Sequence, residues 1–351
     1  MAHELGAANH GFVWPRIIFA ADGESVNVWA EQKNVVGQSV QYLYGLETPH
    51  AVPLAAFSRK VETFIDKVIS RLNALGHQPT ELAEWWALIR EDQEDPEALR
   101  YRILEAKLGY DPDECPQHII DEALALQTRI GVTAMAELAP VYKSRISEIS
   151  AYTTQCGIRG KPEISAERFA PVPHSQKPWQ RGANSAKALR ALLGKKHEPI
   201  RNTDLYDLLG VARAKMENWS PYEGSKAAIA EPLDGGFLNY LPRKKHPDAR
   251  RFELARLIGE VMDHSEADKG WLVSSDIATA TQKRQRSFAA EFLCPIDALV
   301  DFLGGNFSES SREDAAVHFN VSDKTIESLL ANNGHSGFLS NEPKVPYQVH
   351  A

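Results

Sequence analysis

Two apolar-striped segments, separated by about twenty residues, constrain this chain more than any other feature of it. The first, Arg251 to His264, carries apolar residues at 254, 255, 258, 261 and 262, the spacing of a helix that buries one face. The second runs from Arg284 to Pro295 and is a further amphipathic helix, ended by its proline. Residues four apart on a helix share a face, so Arg256 and Glu260 lie together on the first segment. Arg284 opens the second.

The run Arg251-Phe252-Glu253-Leu254-Ala255-Arg256-Leu257-Ile258-Gly259-Glu260-Val261-Met262-Asp263-His264, with Arg284-Gln285-Arg286-Ser287-Phe288-Ala289-Ala290-Glu291-Phe292-Leu293-Cys294-Pro295 after it, resembles the ImmA/IrrE family of zinc metallopeptidases. That family's core reads roughly R-F-x-L-A-H-E-L-G-H and then E-A-N-x-F-A-A-x-L-L-M-P. The likeness covers about residues 183 to 335 and implies a zincin-like helical domain with a short sheet. It places the first zinc histidine at Arg256, the general-base glutamate at Leu257, the second histidine at Glu260 and the acidic ligand at Arg284. An H-E-x-x-H helix works because two neutral imidazoles hold one Zn2+ while the glutamate activates its water. Arginine stays protonated and cannot ligate a cation, and leucine cannot act as a base. The resemblance therefore implies the frame of a metallopeptidase with no catalytic residue in it.

Three readings of these positions remain open. One is a plain core helix with an Arg256–Glu260 surface ion pair. Another is a degenerate cleft kept as a binding surface without metal. The third is a zinc site moved to Glu260 and His264, with Asp263 and His246 to complete it. Only the third needs a cofactor.

With 351 residues, 43% of them hydrophobic and 25% charged, the chain has the length and composition for two domains with cores of their own. No apolar run approaches the ~18 residues of a membrane span, and Met1-Ala2-His3-Glu4-Leu5 lacks the regions of a signal peptide; a cytoplasmic location is expected. Cys115, Cys156 and Cys294 are too scattered for a disulfide framework or a cysteine zinc site. Basic and acidic residues number 11 and 21 over 1–140, 21 and 13 over 141–260, and 7 and 13 over 261–351. An acidic head, basic middle and acidic tail predict self-neutralisation within the chain.

Trp14 to Ala30 reads as a β-hairpin around Asp22-Gly23, with Val40–Tyr44 and His50–Leu54 as further strands. Helices are predicted over 57–75, 80–91, 95–107, 116–131 and 133–149, with Trp29, Trp85 and Trp86 as core anchors. The fold class is α+β and mainly helical. Residues 1–150 form an N-terminal domain, 151–182 a Pro-rich linker, 183–340 the metallopeptidase-like domain and 341–351 a tail. Within the linker, Phe169 to Trp179 with His174 is a candidate lid or partner contact. Short helices at 185–193 and 205–209, each closed by glycine, and a strand at 237–241 are expected in the last domain.

Arg243, Lys244, Lys245 and His246, with Arg250, Arg251, Lys195 and Lys196, form a basic cluster that suits phosphates, but no series of aromatics interleaves it. The stretch 313–334 has the look of a helix-turn-helix with one lysine against four acids, a poor balance for DNA. The resemblance implies a protein partner: a repressor, toxin or phage-defence component, in a bacterial stress response or toxin–antitoxin pair. The leading expectation is a non-catalytic regulatory protein. The alternatives are a working metallo-endopeptidase with relocated ligands, and a nucleic-acid-binding regulator.

Overall fold

The structure is a computed structural model that describes residues 2–8, 14–32, 40–77, 79–143, 145–164, 176–264 and 269–335. The segment around Phe169 and His174 and the 341–351 tail lie outside the described residues. The fold is α+β and mainly helical, with two four-stranded antiparallel sheets. Among the described residues no helix is long and apolar enough to cross a membrane.

The described residues divide into two compact units. One comprises the chain up to Ala106 with Ala278–Ala280, and the other the remainder from Lys107. The break expected at 151–182 therefore falls inside the larger unit, and the reason lies in the packing of the helices before it. Ile130 accepts a backbone hydrogen bond from Trp271, Gly131 meets the Gly270 backbone so closely that a Cβ there would sit 2.8 Å from the Gly270 Cα, and the Tyr142 hydroxyl takes the Lys226 N–H at 3.1 Å. Proline density marked a change of texture, not a boundary between cores.

The smaller unit opens with the sheet β1 (Ala2–Glu4), β2 (Arg16–Ala21), β3 (Ser25–Glu31) and β4 (Leu46–Pro53), paired in that order. Asp22-Gly23 does turn β2 into β3, but only Gly23 has positive φ, at 100°. The Asp22 carboxylate closes the turn by accepting the N–H groups of Glu24 and Ser25 at 3.1 and 2.8 Å. Val40–Tyr44 is not a strand; Ala2–Glu4 supplies the extra one. Then come α1 (Leu54–Ala74), α2 (Glu81–Glu94) and α3 (Pro96–Leu108). Thr80 caps α2 as its residue type suggests, accepting from the Ala83 N–H. Trp85 is 46% exposed and Trp29 and Trp86 are only half-buried, so the expected aromatic core is not formed by them.

In the larger unit α4 (Gln117–Ile130) is followed by two helices where one was expected, α5 (Val132–Tyr142) and α6 (Ile146–Tyr152), because Lys143 turns to φ 50°. The strand β5 (Ile158–Gly160) precedes α7 (Pro178–Leu192), α8 (Asn202–Leu209) and α9 (Arg213–Glu217). Next come β6 (Ala228–Leu233), β7 (Phe237–Leu241), α10 (Pro247–Asp263), β8 (Leu272–Ser274) and α11 (Ala280–Leu293). A terminal trio, α12 (Ile296–Leu303), α13 (Glu309–Phe319) and α14 (Asp323–Asn332), completes it. The second sheet runs β5-β7-β6-β8, all antiparallel. One apolar core extends from Ile158 to Leu330 through this sheet and its helices.

Candidate functional site

Two close approaches, one of a helix backbone to a ring and one of backbone to backbone, bring the singled-out residues together. At Gly259 of α10 a Cβ would lie 2.7 Å from the Phe288 ring of α11, so only glycine lets the phenyl lie on the helix backbone. At Gly182 of α7 a Cβ would stand 2.2 Å from the Arg284 carbonyl oxygen. With α7 and α10 this close to α11, Arg284 of α11 faces the end of α10 that carries Glu260.

The α10 helix starts at Pro247, in the first-turn position that suits proline. Its entry is fixed by Glu253, whose carboxylate accepts the N–H groups of Arg243 and Lys244 at 2.8 and 3.2 Å and the Arg243 Nε at 2.9 Å. One turn further along, Arg256 is buried, with 4% of its surface exposed. Its Nη2 donates to the Ser275 carbonyl at 2.6 Å, to Gln282 Oε1, and to Gln285 Oε1 at 3.4 Å. Gln285 in turn donates to Val273 O at 2.8 Å and to Glu260 Oε2 at 2.9 Å. Arg284 completes the chain by donating to the same Glu260 oxygen at 2.7 Å and pairing with Asp263. Gln282 also joins β8 to α11, accepting from Ser275 N at 2.8 Å and donating to Val273 O at 3.0 Å.

Arg256, Glu260 and Arg284 thus belong to one polar network, but not the one expected. No ion pair joins Arg256 to Glu260 among the described residues, and Arg256 is not at the surface: the two are linked only through the Gln285 amide. The guanidinium turns instead toward β8 and the loop after it. Burial lowers its pKa to about 10, assisted by the neighbouring charges of Arg286 and Arg243. Its Nε is enclosed with no hydrogen-bond partner. Leu257 is fully buried in the apolar core, where it has no access to a substrate.

The donor set does not suit zinc. Of the four positions that the ImmA/IrrE likeness assigns to ligands and base, two are guanidiniums, one is an isobutyl group, and the carboxylate already accepts two hydrogen bonds on one oxygen. Nor do the residues of the relocated alternative assemble. His264 is the residue closing α10, His246 is largely exposed beside Asp248 at 3.7 Å, and Asp263 is held by Arg284. Among the described residues no three His, Cys, Asp or Glu side chains gather as a metal-ligand group.

The mouth of this network is charged. Asp276, whose side chain is 68% exposed, accepts from Arg243 at 2.6 and 3.0 Å, lies 3.9 Å from Arg256 and 3.7 Å from Lys244. Partial burial raises its pKa, but the Arg243 hydrogen bond and the surrounding cations outweigh that and hold it below the ordinary carboxylate value.

The basic cluster is largely directed inward. Arg243 has 6% of its side chain exposed; Arg250 donates to the carbonyls of Lys244, Met216 and Lys245; Arg251 reaches Asn202 and the Ile200 carbonyl; Lys195 pairs with Asp204 at 2.7 Å. Lys196, Lys245 and His246 are left on the surface, a small remainder of the cluster for phosphate contacts. The α13–α14 pair has the helix-turn-helix outline, with its turn at Asn320 in the left-handed conformation. Its apolar residues Ala315, Phe319, Val321, Ile326 and Leu330 all belong to the core, which accounts for the pattern as packing.

Sequence reasoning missed Gln282, Gln285 and Asp276. The signal was present for the glutamines: 282, 285, 289 and 292 fall at i, i+3, i+7 and i+10, so the apolar stripe of Ala289 and Phe292 begins with two amides. Amides on a buried stripe must find partners, and here they find Arg256, Glu260 and the edge of β8. No protein-family model matches the chain, and no curated protein matches it in sequence.

Proposed function

We propose that this chain is a pseudo-metallopeptidase of the ImmA/IrrE type, a non-catalytic protein that regulates by holding a protein partner at the rim of the former metal cleft. The observation that carries the reading is the network Arg256–Gln285–Glu260–Arg284, which ties together the three positions that the family likeness gives to metal ligands. A carboxylate and two guanidiniums joined through an amide hold two helices and β8 in register without a cation. Hydrolysis has no base and no ligand set there. Binding needs only the surface that the network holds still, and the exposed Asp276 with the half-exposed Lys244 gives that rim its charge pattern. By the family likeness the partner is a repressor, toxin or phage-defence component in a bacterium, and the protein works in the cytoplasm.

The test is co-purification from the native host with the full-length wild type and the Lys244→Glu and Asp276→Asn variants, after their unfolding midpoints have been compared. The reading expects one partner retained by the wild type, uncut on prolonged incubation, and lost from the rim variants. A partner that is cleaved, or one held equally by all three proteins, contradicts it.

A further inference from the structure

The hairpin of α1 and α2 lacks any core of its own. The two helices are tied by Trp86 Nε1 and Arg90 Nη2 donating to the Asp66 carboxylate at 2.8 and 3.2 Å, with the Arg90 guanidinium over the Trp86 ring. Yet not one residue of either helix is buried. Large apolar side chains stand in water instead: Phe64 at 67% exposure, Leu88 at 54%, Trp85 at 46%, with Leu82, Ile89 and Val61 beside them in sequence period. Leu82, Trp85 and Ile89 fall at i, i+3 and i+7, one stripe of a helix that meets another helix. With Leu75, these side chains expose on the order of 600 Å² of apolar surface across the two helices, the same order as the ~800 Å² per partner of a stable pairing.

Charge says which partner fits. The α1 helix carries Arg59, Lys60, Lys67 and Arg71 against Glu62 and Asp66, whereas α2 carries Glu81, Glu84, Glu91, Asp92 and Glu94 against Arg90. Of the two-fold pairings open to such a hairpin, the one that lays each α1 on the α2 of the other copy joins a basic helix to an acidic one in both new contacts. We infer that this face is the homodimer interface of the protein, two hairpins closing into a four-helix bundle. The charges set the pairing and the apolar stripe supplies the association. This inference does not depend on the reading of the degenerate cleft.

Sedimentation equilibrium of the full chain tests it. The wild type is expected to be a dimer, and Trp85→Glu with Leu88→Glu a monomer whose far-UV circular dichroism is unchanged. A second pair of variants, confined to exposed charges, guards against misfolding. Lys60→Glu with Lys67→Glu should weaken association at least ten-fold, and adding Glu84→Lys with Glu91→Lys should restore it. A wild type that stays monomeric at every concentration overturns the inference, as does a dimer that survives the Trp85 and Leu88 substitutions. Failure of the second charge pair to rescue the first overturns the α1-on-α2 arrangement.

Discussion

Two helices of similar length show how differently the two units of this chain are built. The 17-residue α10 buries ten of its residues, including Arg251, Glu253 and Arg256, while the 21-residue α1 buries none. The contrast extends to the units that contain them. Val26 and Leu104 are the buried apolar residues among the described part of the first 106, whereas the core of the larger unit runs unbroken from Ile158 to Leu330. A helix in a protein draws most of its stability from packing an apolar face, not from the propensity of its residues. The α10 helix meets that condition fully, while α1 meets it only in part, through contacts such as Phe57 with Phe19 of the sheet.

The comparison is sharpest for one residue type in two places. Phe292→Ala removes a fully buried ring from the core and is expected to cost about 3–5 kcal/mol, while Phe64→Ala, at 67% exposure, should cost less than about 1 kcal/mol in the dissociated protein. Denaturant unfolding at low protein concentration measures both. Similar losses at the two sites would mean that the smaller unit has a core after all.

Arg256→Ala comes next, at about 3 kcal/mol, because it strands the Ser275 carbonyl and weakens the glutamine amides in a closed interior. A loss below about 1 kcal/mol would show the guanidinium to be incidental. Glu260→Ala should cost less, about 1–2 kcal/mol, since Arg284 keeps Asp263 and Arg256 never relied on Glu260.

The smallest effect concerns Glu291, buried on α11, where loss of hydration raises its carboxyl above the ordinary value. The folded state then holds that proton more tightly than the unfolded one. Stability is greatest below the unfolded pKa and declines as pH rises through the raised folded value. Glu291→Gln, neutral throughout, should match the wild type in acid and gain up to about 1 kcal/mol at neutral pH, read from unfolding midpoints across pH. A variant no more stable at pH 7 than in acid, relative to wild type, removes the burial argument.

Much of this architecture was legible because periodicity reports burial. The α10 and α11 stripes, the glycine stops at Gly76, Gly194 and Gly210 with φ of 74°, 67° and 64°, and the strand at Phe237–Leu241 all follow from local rules. What periodicity cannot say is which surface covers a stripe. The α1 pattern looks as amphipathic as α10 yet buries no residue, and Trp85 on α2, expected to be an anchor, stands 46% exposed. The division of the chain was misplaced for a related reason: α4 to α6 join the second sheet through long-range contacts such as Trp271 to Ile130, which no local pattern encodes. In the candidate site the shared helix of Arg256 and Glu260 follows from spacing and the place of Arg284 beside Glu260 was what the resemblance implied, but the glutamine partners were foreseen by neither. Whether Arg256 pairs with Glu260 or turns to β8 depends on where two glutamines from another helix arrive.

The proposed function reads the network of Arg256, Gln282, Gln285, Glu260 and Arg284 as the successor of a metal centre. Metal analysis of the full chain, purified without chelators and equilibrated with zinc before desalting, tests that directly. The account expects zinc far below one ion per chain, unchanged by replacing Glu260 and His264 with alanine. About one zinc per chain, lost in that double variant, would contradict it and point to a relocated and working metallopeptidase site.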